Sequence, residues 1–579
     1  MRDVEASSSS HAQLPPAAAS RPSSKPPFRG DSGVHPTIAQ VTRMQADVWA
    51  KQLLLDPPYD PALSAQILHG ITHGVSIGFE GDRERNRTAH NLSTATVSQR
   101  ISDLVSAVIA KDVAEGKKSG PWDAQPFDFF TVSPIGAVPK GAGIRVIHHL
   151  SFPHGVDSDS INAGIGHEDL KLGSFDQACD AIVLAGIGCW LIKLDVDAAY
   201  KQVAVRVEDR PLLGFKWNGK FYFELVLPFG LRSSGVRWEL YAAALHHFFV
   251  HHLGIELVIH YVDDYLFVVP GLLPLAQRAM DGAVDLCDHL EIPLSLKKRE
   301  GPTTCLIFLG IELDTIAMEA RLGPERLADM KQLLFLWSQD RKDCTLQELQ
   351  SLTGKLQFAA KVVRRGRAYL RRLIDMQREF DRVAKQAPRR RDAPIERHVL
   401  SADALADVRW WRDFIGEWNG RALLYDVDWT SASKLELHTD ACKVGYGAAF
   451  GNRWLRGVWS DEIRNKAKRA KIMSIPFLEL LSLVHASRTW GARWSGKRII
   501  FRCDSSTAVG AIRKMTSTDS DMMSLLRLLD MTAALHGFDY QAVHIPGVKN
   551  TVADLLSRPA LFSFPKLRAL LPGALAQPD

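Results

Sequence analysis

Two adjacent aspartates, Asp263 and Asp264, stand inside an apolar stretch over residues 255–269. β-Branched and aromatic residues on both sides predict two strands of a largely buried hairpin, with the aspartate pair at its tip. Like charges side by side repel, and a buried charge without a partner is costly. A divalent cation is the simplest way to keep both ionised. For such a pair taken alone, a solvated turn is the competing reading. A second stretch changes the balance: residues 189–200 contain an apolar strand that ends on Asp195. Asp195 meets the pair if the two strands are neighbours in one sheet. Three converging carboxylates can hold two divalent metals about 3.5–4 Å apart, an arrangement suited to in-line displacement at phosphorus.

A second set of acids lies toward the C-terminus. Asp440 ends a predicted strand, Glu479 sits on a predicted helix over 476–490, Asp504 ends a strand over 498–504, and Asp554 lies on a short helix over 550–557. Acids at strand ends and on an adjoining helix can converge on two metals that activate a water for phosphodiester hydrolysis. Singly, each reads more simply as a surface acid or a helix cap.

These residues must be positioned by several domains, because 579 residues are too many for one core. A hydrophobic content of 46% with 23% charged residues is ordinary for a soluble globular protein. No apolar run reaches the length of a membrane span, and the Ser/Pro/Ala-rich N-terminus has no apolar signal region. The 7 cysteines are scattered without a C-x-x-C pair, which points to reduced thiols in an intracellular compartment, cytoplasmic or nuclear, with no disulfide frame or zinc site. The net charge of +6 is uneven: residues 361–398 carry 13 Lys/Arg against 5 Asp/Glu. There Arg364, Arg365, Arg367, Arg371 and Arg372 surround Tyr369, a pattern suited to a phosphate backbone. A solvated helix face or basic linker is the alternative.

Along the chain, residues 1–35 read as a disordered tail and 36–125 as a helical N-terminal extension. Residues 126–315 alternate short strands with helices. Residues 316–398 read as helical with the basic segment. Pro324 suits a first turn, and Leu327, Met330, Leu334 and Trp337 share one face. Thr345 with Glu348 predicts a capping box ahead of the stripe Leu349, Leu352 and Leu356. A basic run, Pro388-Arg389-Arg390-Arg391, follows. Residues 399–430 read as a linker, 431–560 as a second α/β unit and 561–579 as a C-terminal tail. No internal repeat is evident.

The ordered motifs resemble those of reverse transcriptases. Ser133-Pro134-Ile135-Gly136-Ala137-Val138-Pro139-Lys140 and Arg145-Val146-Ile147 are similar to the fingers. Leu194-Asp195 with Tyr200, Leu227-Pro228-Phe229-Gly230-Leu231-Arg232-Ser233-Ser234 and Tyr261-Val262-Asp263-Asp264 are similar to the palm. Lys298 resembles a motif lysine of that family, and Phe308-Leu309-Gly310 its primer grip. The four C-terminal acids, in their order and flanks, resemble ribonuclease H. The resemblance implies a multidomain α+β protein: a right-hand polymerase of fingers, palm and thumb (residues 316–398), followed by a ribonuclease H-like α/β domain.

The same resemblance implies roles. Asp195, Asp263 and Asp264 would hold two Mg²⁺ (or Mn²⁺), and Asp440, Glu479, Asp504 and Asp554 two more. Lys140 and Arg145 would meet the incoming triphosphate. Tyr200 would pack under the sugar, Phe229 and Gly230 would flank the nascent base pair, and Lys298 would donate a proton to pyrophosphate. The expected activity is copying RNA into DNA and cutting RNA in the hybrid, with RNA template, DNA primer, RNA/DNA hybrid and dNTPs as partners and no membrane. The Ser-Ser run, His544-Ile545-Pro546-Gly547 and Glu348-Leu349-Gln350-Ser351-Leu352 look like tyrosine-recombinase (DIRS-type) retrotransposons. Gly235, where the family has proline, Trp238, where a smaller residue or Phe is common, and His149, where many relatives carry Asp, depart from the pattern. So does the lack of a mobile-loop histidine, since His544 falls at the exit of the last strand and reads as structural. These departures frame the rival reading, a catalytically silent or domesticated nucleic-acid-binding protein. The sequence does not specify an oligomeric state.

Overall fold

The structure is a computed structural model that describes residues 37–579 except 142, 155–157, 340–342, 387–395, 418–420, 424–435, 470–473, 495–496 and 537. The tail expected over 1–35 and the Pro388-Arg389-Arg390-Arg391 run lie outside the described residues. The chain forms two compact units, Met1–Ser174 with Trp190–Thr303 and Phe175–Cys189 with Thr304–Asp579.

The first unit begins with helices α1 (Ala46–Leu53) and α2 (Pro61–His73). Asp60 caps α2 by accepting from the Leu63 amide, with Pro61 in the first turn where its missing N–H costs nothing. Strand β1 (Arg87–Thr88), helix α3 (Gln99–Ala114) and strands β2 (Lys118–Trp122) and β3 (Thr131–Val132) follow. Next come the hairpin β4 (Ile135–Lys140) and β5 (Gly143–His148), then β6 (Trp190–Asp195), β7 (Gly214–Trp217) and β8 (Lys220–Glu224). Helix α4 (Ser234–His247), strands β9 (Val258–Tyr261) and β10 (Asp264–Val269), helix α5 (Leu273–His289) and strand β11 (Glu300–Thr303) complete it. The strands form a five-stranded sheet β1-β3-β7-β8-β2, the β4-β5 ribbon and a four-stranded sheet β11-β6-β10-β9.

The four-stranded sheet is apolar on the face toward the main core. Ile192 and Leu194 of β6, with Tyr265 and Phe267 of β10, pack with Trp238 and Tyr241 of α4 and Trp49 of α1. The region 36–125 is therefore not a separate helical extension. It supplies β1 and β2 to the five-stranded sheet, and Trp49, Leu53, Ile67 and Ile71 to the core beneath the four-stranded sheet. Strands as short as Arg87–Thr88, or interrupted by Gly120-Pro121, carry too little period-2 signal to read.

A buried ion network crosses this unit. Lys118 Nζ lies 2.5 Å from Glu224 and 3.5 Å from Asp112, which also binds Lys201 at 2.6 Å, and His148 Nδ1 is 3.5 Å from Glu224. Burial alone would raise the Glu224 pKa, but the charge of Lys118 and the His148 hydrogen bond outweigh it and hold the carboxyl at about 2.

The second unit opens with the helix Phe175–Ala185 and continues through β12 (Cys305–Phe308), β13 (Ile311–Asp314) and β14 (Glu319–Leu322). Helix α6 (Pro324–Ser338) buries Met330, Leu334 and Trp337. Strand β15 (Asp343–Cys344) precedes α7 (Leu346–Ala359), where Thr345 and Glu348 form the expected capping box and Leu349, Leu352 and Leu356 are buried. Helix α8 (Arg371–Gln386), β16 (His398–Val399), helix α9 (Ala402–Glu417) and β17 (Arg421–Leu423) follow. The described residues of the span 399–430 thus form a helix and a strand where a linker was expected; 418–420 and 424–430 lie outside the described residues. Ala404, Val408, Trp411 and Ile415 recur at helical spacing and are buried, and β17 extends the β12-β13-β14 sheet.

The basic cluster also differs from its reading. Tyr369 faces inward and stacks on Trp410 with ring centroids 3.7 Å apart. Arg371 pairs with Asp375 at 2.6 Å, and Arg372 with the buried Asp407 at 3.3 Å, so two of the guanidinium groups are already engaged within the fold. Arg527 reaches the same Asp407 at 2.7 Å. Arg367 is exposed, and the side chains of Arg364 and Arg365 lie outside the described residues.

The rest of this unit is β18 (Glu436–Ala441), β19 (Gly445–Phe450), β20 (Arg453–Val458), α10 (Asp461–Arg469), α11 (Ser474–Trp490), β21 (Arg498–Cys503), α12 (Ser506–Lys514), α13 (Ser520–His536), β22 (Asp539–His544), α14 (Thr551–Ser557) and α15 (Phe564–Leu570). Its sheet runs β20-β19-β18-β21-β22, with β18, β21 and β22 parallel and β19 and β20 antiparallel. Residues 561–579 are not a free tail: Leu567 and Ala574 join Trp454 and Leu556 in one core cluster, and Trp490 Nε1 donates to Asp579 at 2.8 Å. Among the described residues, no helix is long and apolar enough to cross a membrane.

Candidate catalytic sites

Strand β10 lies between β6 and β9, and Asp264 sits directly opposite Asp195 in that register. The β9–β10 turn is made by Val262 and Asp263. Val262 adopts a left-handed φ of 59°. For a β-branched residue this conformation costs roughly 1–2 kcal/mol, so neighbours must hold it. Trp238 Nε1 donates to the Val262 carbonyl at 2.7 Å, and the Val196 amide donates to the Asp263 carbonyl at 2.9 Å. Carboxylate oxygens of Asp195, Asp263 and Asp264 then lie within 4.8 Å of one another. Lys298 Nζ donates to Asp195 at 2.5 Å. Burial, then repulsion from Asp263 and Asp195, pushes Asp264 up to about 6, and burial with Asp195 raises Asp263.

An aromatic pair stands near these acids. The Tyr200 and Phe229 ring centroids are 5.3 Å apart, and the Arg145 guanidinium carbon lies 4.4 Å over Phe229. Gly230 has φ 108°, and a Cβ there would come 2.0 Å from the His148 carbonyl oxygen, so only glycine fits. The His148 amide donates to the Phe229 carbonyl at 2.9 Å, which ties β5 to this loop. Lys140 stands exposed at the tip of the β4–β5 hairpin, opposite Gly143. Gly235 lies against Tyr200: a Cβ there would sit 3.5 Å from the Tyr200 hydroxyl and 3.2 Å from Leu170. His149 pairs its Nε2 with that of His154 at 3.1 Å.

Of the second acid set, Glu479 and Asp504 come together with Cys503, while Asp440 and Asp554 stand outside that close cluster. The Ala441 amide donates to Glu479 at 2.9 Å, which seats α11 against the end of β18. Glu479, Cys503 and Asp504 have ligand atoms within 4.8 Å of one another. Ser557 Oγ donates to Asp440, and Arg558 holds Asp554 at 2.6 Å. Burial and then Asp440 push Glu479 up to about 9, and burial takes Asp440 to about 6 with Asp504 and Asp554 adding to the rise. His544 is exposed and its Nε2 lies 3.1 Å from the Asp504 carbonyl. It borders these acids instead of sitting in the core.

Residues 171–313 match the reverse transcriptase (RNA-dependent DNA polymerase) family. The matched residues include Asp195, Tyr200, Phe229, Gly230, Asp263, Asp264 and Lys298. Solved structures of foamy viral protease-reverse transcriptase are similar to the chain. One, in complex with an RNA/DNA hybrid, has a TM-score of 0.47 and 12% identity, covering 86% of this chain and 63% of that chain. A second, the dRH form with double-stranded DNA, has a TM-score of 0.45 and 12% identity over 87% of this chain and 82% of that one. A third, with double-stranded DNA, has a TM-score of 0.44 and 13% identity over 87% and 98%. The chain thus spans 63% of the length of the first of these relatives. No curated protein matches it.

Three groups around the matched region and the second acid set carry no site signal in the sequence. Asn162 donates to the Gly230 carbonyl at 2.8 Å and accepts from the Arg232 amide at 2.8 Å, fixing the Phe229-Gly230 loop from a distant turn. Trp238 was visible only as a departure, not as a support of the hairpin. Cys503 precedes Asp504 and was hidden as one of several single cysteines.

The raised acids carry a prediction. An acid whose folded pKa lies above its unfolded value costs stability as pH rises between the two, and a cation must displace its proton. Divalent-cation affinity at the Asp195 set should therefore climb with pH through about 6 and then level off. At the Glu479 set it should keep rising through about 9. Mn²⁺ titrations at several pH values, with one set replaced by amides at a time, measure this. Two superimposable profiles would contradict it.

Proposed function

We propose that the chain is an RNA-directed DNA polymerase of a retroelement, of DIRS-type affinity, with a C-terminal ribonuclease H that cuts the RNA of RNA/DNA hybrids inside the cell. The observation that carries this reading is the convergence of Asp195, Asp263 and Asp264 within 4.8 Å at one end of a sheet inside the matched region. Carboxylate-only donors fit a hard cation such as Mg²⁺ or Mn²⁺. Asp195, Asp263 and Asp264 would hold it at the polymerase site, and Asp440, Glu479, Asp504 and Asp554 at the nuclease site. When bound, two such ions supply Lewis-acid stabilisation of the transferring phosphate.

The chain's own residues have separable tasks in this reading. Arg145 offers a planar fork to the triphosphate of a dNTP and Lys140 a point charge. Phe229 and Tyr200 form the apolar wall for base and sugar, and Gly230, packed against the His148 carbonyl, keeps the Phe229-Gly230 loop where it would flank the nascent base pair. Lys298 keeps an ammonium beside Asp195, where it can give a proton to departing pyrophosphate. Purified protein on a primed RNA template with Mg²⁺ or Mn²⁺ should extend the primer and degrade the copied RNA. Absence of extension, or extension unchanged by Asp263→Ala, refutes the polymerase assignment. Absence of cleavage of a labelled hybrid refutes the nuclease assignment.

A further inference from the structure

We propose that Trp238 is a positioning residue for the polymerase acids: its indole N–H holds the Val262 carbonyl, and so keeps Val262 in the left-handed turn that sets Asp263 and Asp264 against Asp195. This rests on the polymerase reading given above. Trp238 is fully buried on α4 and donates to Val262 at 2.7 Å. The helix that carries it is itself well fixed. Ser233 Oγ donates to the Ile77 carbonyl at 2.8 Å and Ser234 Oγ to the Pro228 carbonyl at 2.9 Å. The Trp238 ring stacks on Tyr241 with centroids 6.3 Å apart, and Tyr241 meets Trp49 edge-on at 5.8 Å.

The turn gives that hydrogen bond a task. Val262 is β-branched at φ 59°, a conformation that such residues leave when nothing holds them. If Val262 relaxed, the two residues after it would rotate with it. Asp264 would lose its register opposite Asp195, where the carboxylates now converge. A phenylalanine would fill most of the same space but has no donor. The tryptophan at this position is thereby matched to a non-glycine residue at the hairpin tip.

Trp238→Phe removes the donor, and Val262→Gly removes the strain that the donor opposes. We expect Trp238→Phe to lower kcat for nucleotide addition about tenfold and to raise the Mg²⁺ concentration for half-maximal rate about as much. The KM for dNTP should change less than twofold and hybrid cleavage should stay near wild type, while the melting temperature falls only by the few degrees that a small cavity and one unpaired carbonyl cost. Adding Val262→Gly should recover at least threefold of the lost kcat. Wild-type kcat and Mg²⁺ dependence in Trp238→Phe overturn the proposal. So does an equal fall in polymerisation, cleavage and melting temperature, which marks a purely structural residue. If the wild type extends no primer, the polymerase reading fails and the clamp is judged by Mn²⁺ binding in an Asp440→Asn/Asp504→Asn background. There, weaker binding with Trp238→Phe that Val262→Gly restores supports the clamp, and unchanged binding overturns it.

Discussion

Asp195→Asn should abolish primer extension and leave hybrid cleavage intact, and Asp440→Asn should do the reverse. Each substitution keeps the size of the side chain and removes one negative charge from a set that has to hold a multivalent cation. Asp195 is 2% exposed at the end of β6 and faces Asp264 across the ladder, so no exposed neighbour can take its place. Loss of a preorganised electrostatic partner typically costs about 10²–10³-fold in rate, and a metal-bridging carboxylate should sit at or beyond the upper end. The folded protein should not suffer in parallel. In the cation-free state Asp195 raises the pKa values of both Asp263 and Asp264, so neutralising it relieves repulsion. Primer extension, hybrid cleavage and a melting curve on each variant check this together. If both activities fell in each variant, one acid set would be serving both reactions and the division proposed above would be wrong.

Lys118→Met should destabilise the first unit by about 3–5 kcal/mol, the usual result of stripping one partner from a buried ion pair. Glu224 would be left almost fully buried with only His148 beside it. The same pair predicts an acid limit. The folded pKa of Glu224, about 2, lies below its ordinary 4.5. A depressed acid contributes stability above its unfolded pKa and loses it as pH falls toward the folded one. About 3 kcal/mol should therefore disappear in the wild type between pH 4.5 and 2, at about 1.4 kcal/mol per unit. Denaturant unfolding at pH 7 and pH 3, in wild type and Lys118→Met, tests both statements. A variant that unfolds at the wild-type midpoint at pH 7 would show that the pair adds nothing.

What the sequence made legible was local. The β9–β10 hairpin could be read because its β-branched and aromatic residues are contiguous, and the Thr345–Glu348 cap because both partners lie within one turn. The convergence of Asp195 with Asp263 and Asp264 followed from strand polarity once the strands were taken as neighbours. Long-range contacts stayed hidden. Asn162 and Gly230 are joined by one hydrogen bond across two loops, and neither flank announces the other. Tyr369 looked like an exposed aromatic among arginines because its partner, Trp410, is supplied by a segment read as a linker. His544 could be placed at the end of its strand, yet its exposure depends on how Asp504 leaves the neighbouring one.

The buried Asp407 has one more consequence. It belongs to a helix, α9, that precedes the sheet β20-β19-β18-β21-β22, yet one of its two arginine partners, Arg527, comes from a helix, α13, within that α/β region. Arg527 also caps the Tyr369 ring, with its guanidinium carbon 5.1 Å from the centroid. A truncation just before β18 would therefore leave Asp407 with Arg372 alone and bare an aromatic stack. The helical segment and the α/β region should therefore melt in one transition, which calorimetry of wild type and Arg527→Met checks: two resolved transitions in the wild type would contradict it.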